Sequence, residues 1–164
     1  MEGDALSSVR LIALDVDGVM TDGRLTYGPD GVHVSFSARD GAGIMSAIGA
    51  GLEIALVSFR DFPAVRRRAS DLGIDLLALG CDDKAEAVRR LASHLGLAMG
   101  QVLFMGDDDR DIPAIEISGI GACPADAHSR VRERCDIVSS LPGGCGAVRE
   151  VIDMVLEAGS RGGD

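Results

Sequence analysis

The stretch Val9-Arg10-Leu11-Ile12-Ala13-Leu14-Asp15-Val16-Asp17-Gly18-Val19 decides how this chain folds. A short apolar run that ends abruptly in an acidic, glycine-containing turn reads as a buried strand of a parallel sheet. The same pattern recurs along the chain. Glu53 to Val57, Ile74 to Leu79 and Gln101 to Met105 are further expected strands, with shorter ones at Gly119 to Cys123 and Asp136 to Val138. Helices are expected between them. These are Asp40 to Ala50 with Gly51 as its stop, and Asp61 to Leu72 with Asp61 as N-cap, Pro63 in the first turn and Gly73 just past the end. The next is capped by Asp82 or Asp83 and runs to Leu95, and the last three cover Ile112 to Ser118, Ala127 to Arg134 and Ala147 to Ala158. Arg24 to Phe36 differs: Val32, Val34 and Phe36 alternate with polar residues after Gly28-Pro29-Asp30-Gly31, the pattern of a β-hairpin. Strand–helix alternation of this kind means an α/β domain, a parallel sheet with helices on both faces, whose ligands sit beyond the carboxyl ends of the strands. That domain is expected over residues 9–158, between an N-terminal tail at 1–8 and a mobile tail at 159–164.

Composition narrows the function. The chain has 164 residues, enough for one ordinary domain, and a formal net charge of −10. Such acidity disfavours a nucleic-acid backbone or an anionic membrane as partner. No apolar run reaches the ~18 residues of a membrane span, and no basic stretch leads into a long apolar segment as in a secretion signal. The four Cys, at 81, 123, 135 and 145, form no C-x-x-C pair and read as reduced thiols of a cytoplasmic protein. Of sixteen basic residues only one is a lysine, Lys84. A lone Lys among arginines points to a place where a compact ammonium is wanted, or to nothing beyond codon bias.

The chemistry gathers at strand ends. Asp15 and Asp17 stand two apart on extended backbone and so face the same way. Alone, Asp-x-Asp-Gly is equally an ordinary solvated turn. Gly106-Asp107-Asp108-Asp109-Arg110-Asp111 follows the fourth strand, and four carboxylates in five positions need a cation or solvent between them. Two such clusters make an oxygen-ligand pocket suited to Mg²⁺. Ser58 ends the second strand and Lys84 begins the helix after the third. Singly they read as a capping serine and a surface lysine. Together the strand ends supply a carboxylate nucleophile, a hydroxyl donor, a cation and a metal site, which is what phosphoryl transfer requires.

On these residues the chain resembles the haloacid dehalogenase superfamily of phosphatases, from about Leu11 to Leu156. The four motifs are Asp15-Val16-Asp17-Gly18-Val19, Ser58, Lys84 and Gly106-Asp107-Asp108-x-x-Asp111. More narrowly it resembles the capless members that act on ulosonic acid phosphates of eight carbons or, as the alternative, nine. That likeness rests on Val19-Met20-Thr21-Asp22-Gly23-Arg24, Ala38-Arg39-Asp40-Gly41, Ala125-Asp126-Ala127-His128 and Pro142-Gly143-Gly144-x-Gly146-Ala147-Val148-Arg149-Glu150. The resemblance implies a Rossmann-like fold with a hairpin insertion after the first strand and no cap domain. It also implies Asp15 as nucleophile, Asp17 as general acid and base, and Mg²⁺ held by Asp15, the Asp17 carbonyl and Asp107. Asp111 would orient Lys84 or a metal-bound water, Ser58 would hold a phosphoryl oxygen, and Lys84 would pair with both the phosphoryl group and Asp15. Ser37, Ala38, Arg39, Asp40, Gly41, Arg60, Arg68 and Asp108 would meet the substrate, and Arg39 and Arg149 are either contacts for a sugar carboxylate or plain surface arginines. Phe59, Met45 and Arg110 depart from the family pattern. The resemblance further implies a homotetramer built through the hairpins, with active sites at subunit interfaces. A receiver-type phosphoacceptor domain uses similar groups in another order, with its Lys after the last acidic residue; here Lys84 comes before the second cluster.

Overall fold

The computed structural model describes residues 2–161. In chain order the elements are α1 (Glu2–Ser7), β1 (Leu11–Leu14), β2 (Thr26–Gly28), β3 (Gly31–His33), α2 (Ala38–Gly49), β4 (Glu53–Ser58) and α3 (Pro63–Leu72). They continue as β5 (Leu76–Leu79), α4 (Lys84–His94), β6 (Val102–Met105), α5 (Ile112–Ile117), β7 (Ile120–Cys123), α6 (Ser129–Arg132), β8 (Ile137–Val138) and α7 (Ala147–Arg161). Six strands form one parallel sheet in the order β5-β4-β1-β6-β7-β8. β2 and β3 pair apart from it, antiparallel, with Tyr27 opposite Val32.

Alternation along β1 assigns the two faces. Ile12 and Leu14 join one core with Leu56, Leu103 and Met105, covered by α2, α3 and α7. Leu11 and Ala13 join the other with Val57 and Phe104, covered by α4, α5 and α6. β1 lies between β4 and β6, where the winding of the sheet reverses, so the loops after these strands diverge and leave a crevice.

Some expected boundaries shift for identifiable reasons. The residue preceding α3 is Phe62, with no side-chain cap; Asp61 instead makes a two-point ion pair with Arg66 at 2.6 and 2.8 Å. Asp83, not Asp82, caps α4 by accepting from the Glu86 N–H. The stretch taken as an N-terminal tail contains α1, whose Leu6 packs on the core beside α7. α7 continues through Gly159 to Arg161, where a mobile tail was expected; residues 162–164 of that expected tail lie outside the described residues. α6 is a single turn.

α2 and α7 are joined by a buried carboxylate. Asp40 is 1% exposed and accepts the Arg149 N–H at 3.0 Å in the first turn of α7. Burial raises its pKa, while the N–H groups of Arg149, Gly146 and Val148 oppose that rise by stabilising the charged form. A helix N-terminus has unpaired N–H groups, and a carboxylate from a neighbouring helix supplies what a local cap would. Asp40→Ala is expected to lower stability by about 1–3 kcal/mol, read as an earlier urea midpoint with an unchanged slope.

Candidate active site

The loops after β1, β5 and β6 deliver charged groups to the crevice, while Ser58 at the end of β4 is buried outside its lining. Asp15 leaves β1 with its N–H bonded to the Met105 carbonyl at 2.9 Å, and its Oδ1 accepts the Val16 N–H at 2.8 Å. Ser58 ends β4, 1% exposed, with its Oγ accepting the Arg60 N–H at 3.2 Å. Lys84 opens α4 and is 7% exposed. Its ammonium lies 2.8 Å from Asp15 Oδ1 and donates to Asp111 Oδ1 at 2.6 Å. Asp111 Oδ2 accepts the N–H groups of Asp107 and Asp108 at 2.9 and 3.1 Å, so both of its oxygens are engaged. Asp15, Asp17, Phe59, Arg60, Lys84, Asp107, Asp108, Arg110 and Asp111, with Gly23, line a cleft of about 500 Å³.

The electrostatics call for a cation. Asp15, Asp107 and Asp111 can each place an oxygen within 4.8 Å of the others. Burial and then the Asp111 charge raise the Asp15 pKa well above the usual carboxylate range, against the pull of Lys84. Burial and Asp111 push Asp107 up to about 7. Burial alone would lower the Lys84 pKa, but Asp15 and Asp111 reverse that and hold the ammonium charged. One ammonium among two buried carboxylates and a half-buried one leaves negative charge uncompensated, and an all-oxygen donor set is what a hard divalent ion takes. The site residues therefore fit Mg²⁺. Because Asp111 is already bound at both oxygens, Asp15 and Asp107 are the carboxylates left to hold it. Burial also raises the Asp17 pKa, with Arg60 and Lys84 opposing; Arg60 Nε lies 3.5 Å from Asp17 Oδ2.

Other expected residues fall elsewhere. Ser37, Ala38, Arg39, Asp40, Gly41 and Arg68 do not line the cleft. Ser37 caps α2, and its carbonyl accepts from Arg68 Nη2 at 3.1 Å, while Arg68 also lies over the Phe36 ring. Asp40 caps α7 from beneath. Arg39 is exposed, and Arg149 is spent on Asp153 at 2.9 Å. Met45 is exposed on α2. The two remaining departures from the family pattern, Phe59 and Arg110, touch each other on the rim of the cleft.

Sequence reasoning gave Thr21 no task. It is fully buried, and its hydroxyl accepts the N–H groups of Gly18 and Gly23 at 3.2 Å each, which closes the loop after Asp17. Nor did it find the buttress behind that loop. A side chain on Gly143 would overlap the Gly18 carbonyl, Gly144 donates to the Val19 carbonyl at 3.0 Å, and Asp126 accepts from Gly143 at 2.9 Å. His128 donates its N–H to the Asp107 carbonyl at 2.9 Å. The glycines and the acidic residue of the two later motifs were the available signal: they serve close approach of backbones.

With this geometry in place, comparison with known proteins is informative. Residues 80–150 match the haloacid dehalogenase-like hydrolase family. The 3-deoxy-D-manno-octulosonate 8-phosphate phosphatase KdsC of Haemophilus influenzae is 42% identical over 154 residues, 93% of this chain and 86% of that one. Its counterpart from Escherichia coli K12 is 40% identical over 152 residues, 92% and 81% of the two chains. Among solved structures, the cobalt-bound H. influenzae phosphatase superposes with a TM-score of 0.93 at 41% identity, covering 95% of this chain and 92% of that one. The Moraxella catarrhalis phosphatase in complex with magnesium ion, phosphate ion and KDO does so with a TM-score of 0.94 at 32% identity, covering 97% and 92%. The chain belongs to the haloacid dehalogenase-like hydrolases.

Gly18 tests the metal site. Its φ is +81°, and a Cβ there would run into the Asp107 carboxylate. Gly18→Ala is expected to displace Asp107 and weaken Mg²⁺ binding on the order of tenfold or more. The measurement is the rise in unfolding temperature brought about by Mg²⁺, which shrinks in the variant at equal metal concentration.

Proposed function

We propose that this chain is a Mg²⁺-dependent phosphomonoester hydrolase that works through an aspartyl-phosphate, and that its substrate is 3-deoxy-D-manno-octulosonate 8-phosphate or a related sugar acid phosphate. One observation carries the chemistry: Asp15, buried at the floor of the cleft, is paired with Lys84 at 2.8 Å beside Asp107. The substrate class is supported by the 42% identity to a phosphatase of that name.

A carboxylate oxygen of Asp15 attacks phosphorus, the bond from phosphorus to the sugar oxygen breaks, and Asp17 gives its proton to the leaving alkoxide. Asp17 then takes a proton from water as the water oxygen bonds to phosphorus, which frees Asp15 and releases inorganic phosphate. Lys84 pairs with the phosphoryl oxygens, and Ser58 donates its O–H to one of them. Asp111 fixes Lys84. Asp15, Asp107 and the Asp17 carbonyl would hold Mg²⁺, which when bound would supply positive charge to the phosphoryl group. Asp108 and Arg60 border the leaving group. The four free thiols fit action in the cytoplasm, and no helix among the described residues is long and apolar enough to cross a membrane.

Turnover of sugar phosphates of six to nine carbons with Mg²⁺ tests the assignment. The highest kcat/KM is expected for the eight-carbon sugar acid. A preference for uncarboxylated sugars would remove the sugar-acid reading, and a nine-carbon preference would shift it. Asp15→Asn is expected to cut turnover by more than about 10³-fold; retained activity would take Asp15 out of the nucleophile's role.

Among the described residues no cap domain covers the cleft, and phosphoryl chemistry benefits from excluded water. The hairpin stands apart from the main sheet with Tyr27 76% exposed. A homotetramer joined through these hairpins would cover each cleft with a neighbour, and Ser37 to Gly41 and Arg68 would meet substrate only across such an interface. Tyr27→Glu is expected to lower the mass seen in sedimentation and to reduce kcat/KM in parallel.

A further inference from the structure

Two residues on the rim of the cleft take no part in the phosphoryl chemistry and lie against each other. Phe59 follows Ser58 out of β4 and is 44% exposed. Arg110 stands in the turn between Asp107 and α5, and its Cζ is 4.2 Å from the centroid of the Phe59 ring. That is a direct cation–π contact bridging two loops of the cleft.

The contact matters for what it leaves free. Arg110 sits in a run of carboxylates yet binds none. Asp109 is held by Arg130 at 3.1 Å and lies 3.5 Å from His128. Asp111 is held by Lys84 and two backbone N–H groups, and Asp108 accepts from the Asp109 N–H at 2.7 Å. Among the described residues Arg110 has no ion pair, whereas the other two cations of the cleft, Lys84 and Arg60, both face carboxylates. A guanidinium stacked on a ring is held by its face and keeps its edge donors available, and that edge is the fork that matches a carboxylate.

We propose that Arg110, positioned by Phe59, is the receptor for the carboxylate of the sugar acid. The inference rests on the substrate reading above and names the group that would confer it. The phosphoryl group goes to the floor of the cleft at Asp15, so the rest of the substrate extends toward the rim. The cleft walls carry five carboxylates, Asp15, Asp17, Asp107, Asp108 and Asp111, against three cations. A second anionic group entering there meets net repulsion unless one cation is reserved for it. Arg110 is the cation with no carboxylate of its own. Of the two other arginines considered for this task, Arg149 is bound to Asp153 and Arg39 is exposed outside the lining of the cleft. Phe59 is a positioning residue: it touches Arg110 and holds the guanidinium over its ring.

The experiment compares kcat/KM for 3-deoxy-D-manno-octulosonate 8-phosphate with that for mannose 6-phosphate, which lacks a carboxylate, in the intact enzyme with Mg²⁺. The ratio of the two is the readout. Arg110→Ala is expected to lower it by about tenfold to a hundredfold, chiefly through KM for the sugar acid. Arg110→Lys keeps the charge without the fork and is expected to restore only part of the ratio. Phe59→Ala is expected to lower it less than Arg110→Ala, again through KM. Both side chains are at the surface, so these variants are expected to keep the wild-type unfolding temperature. A ratio within twofold of wild type in Arg110→Ala, with wild type still preferring the sugar acid, overturns the proposal. A wild-type enzyme with no such preference overturns the sugar-acid reading itself, and the two failures are told apart by the wild-type ratio alone.

Discussion

The ammonium of Lys84 sits 2.8 Å from Asp15 and 2.6 Å from Asp111, almost wholly removed from water. Three loops, following β1, β5 and β6, must arrive together for that contact to exist. Removing water from charged groups costs several kcal/mol for each ion unless the partners are well placed. The cost is tolerable here because Asp111 is satisfied at both oxygens and because Asp15 also receives the Val16 N–H. What is left over is negative charge on Asp15 and Asp107, which suits a divalent ion. The metal site is thus the remainder of an incomplete neutralisation, set by one lysine where the carboxylates number three.

Around this centre the second half of the chain acts as a mould. The loop carrying Asp15 and Asp17 is tied inside by Thr21 and backed from outside by Gly143 and Gly144, which meet it backbone to backbone. The loop carrying Asp107 is held by the His128 N–H, and a side chain on Gly106 would overlap Asp111. Glycine recurs at these contacts because any Cβ would part the loops by more than a hydrogen bond can span. Further out, Asp40 joins α2 to α7, so that α7 is seated by a carboxylate from the opposite end of the sequence.

The strands, their parallel arrangement and the four motif positions were legible because each depends on local pattern: an apolar run, a turn, a charge at a strand end. Asp15, Lys84 and Asp111 meet as their places beyond the sheet's carboxyl edge implied, whereas Ser58 is buried outside the lining of the cleft. The sequence was less informative wherever partners are distant. Asp40 reads as an ordinary acidic residue in a first turn, and only the packing of α2 on α7 shows which helix it caps. Asp61 has the look of an N-cap, but the two-point pair with Arg66 takes its carboxylate instead. Phe59 and Arg110 stand far apart in the sequence, and nothing local in either segment signals that they share a rim. Gly159, where a mobile tail was expected to begin, stays helical in α7, which packs against α1.

The backbone contact between Gly18 and Gly143 also bears on how the protein is made. The loop with the first two aspartates is synthesised well before the segment that backs it, which follows more than a hundred residues later in the sequence. A nascent polypeptide can lay down β1 and pair it with β4, yet the loop beyond β1 lacks this backing until Gly143 and Gly144 have emerged. A product truncated ahead of Pro142 would carry Asp15, Asp17, Asp107 and Asp111 without the wall that backs the first two.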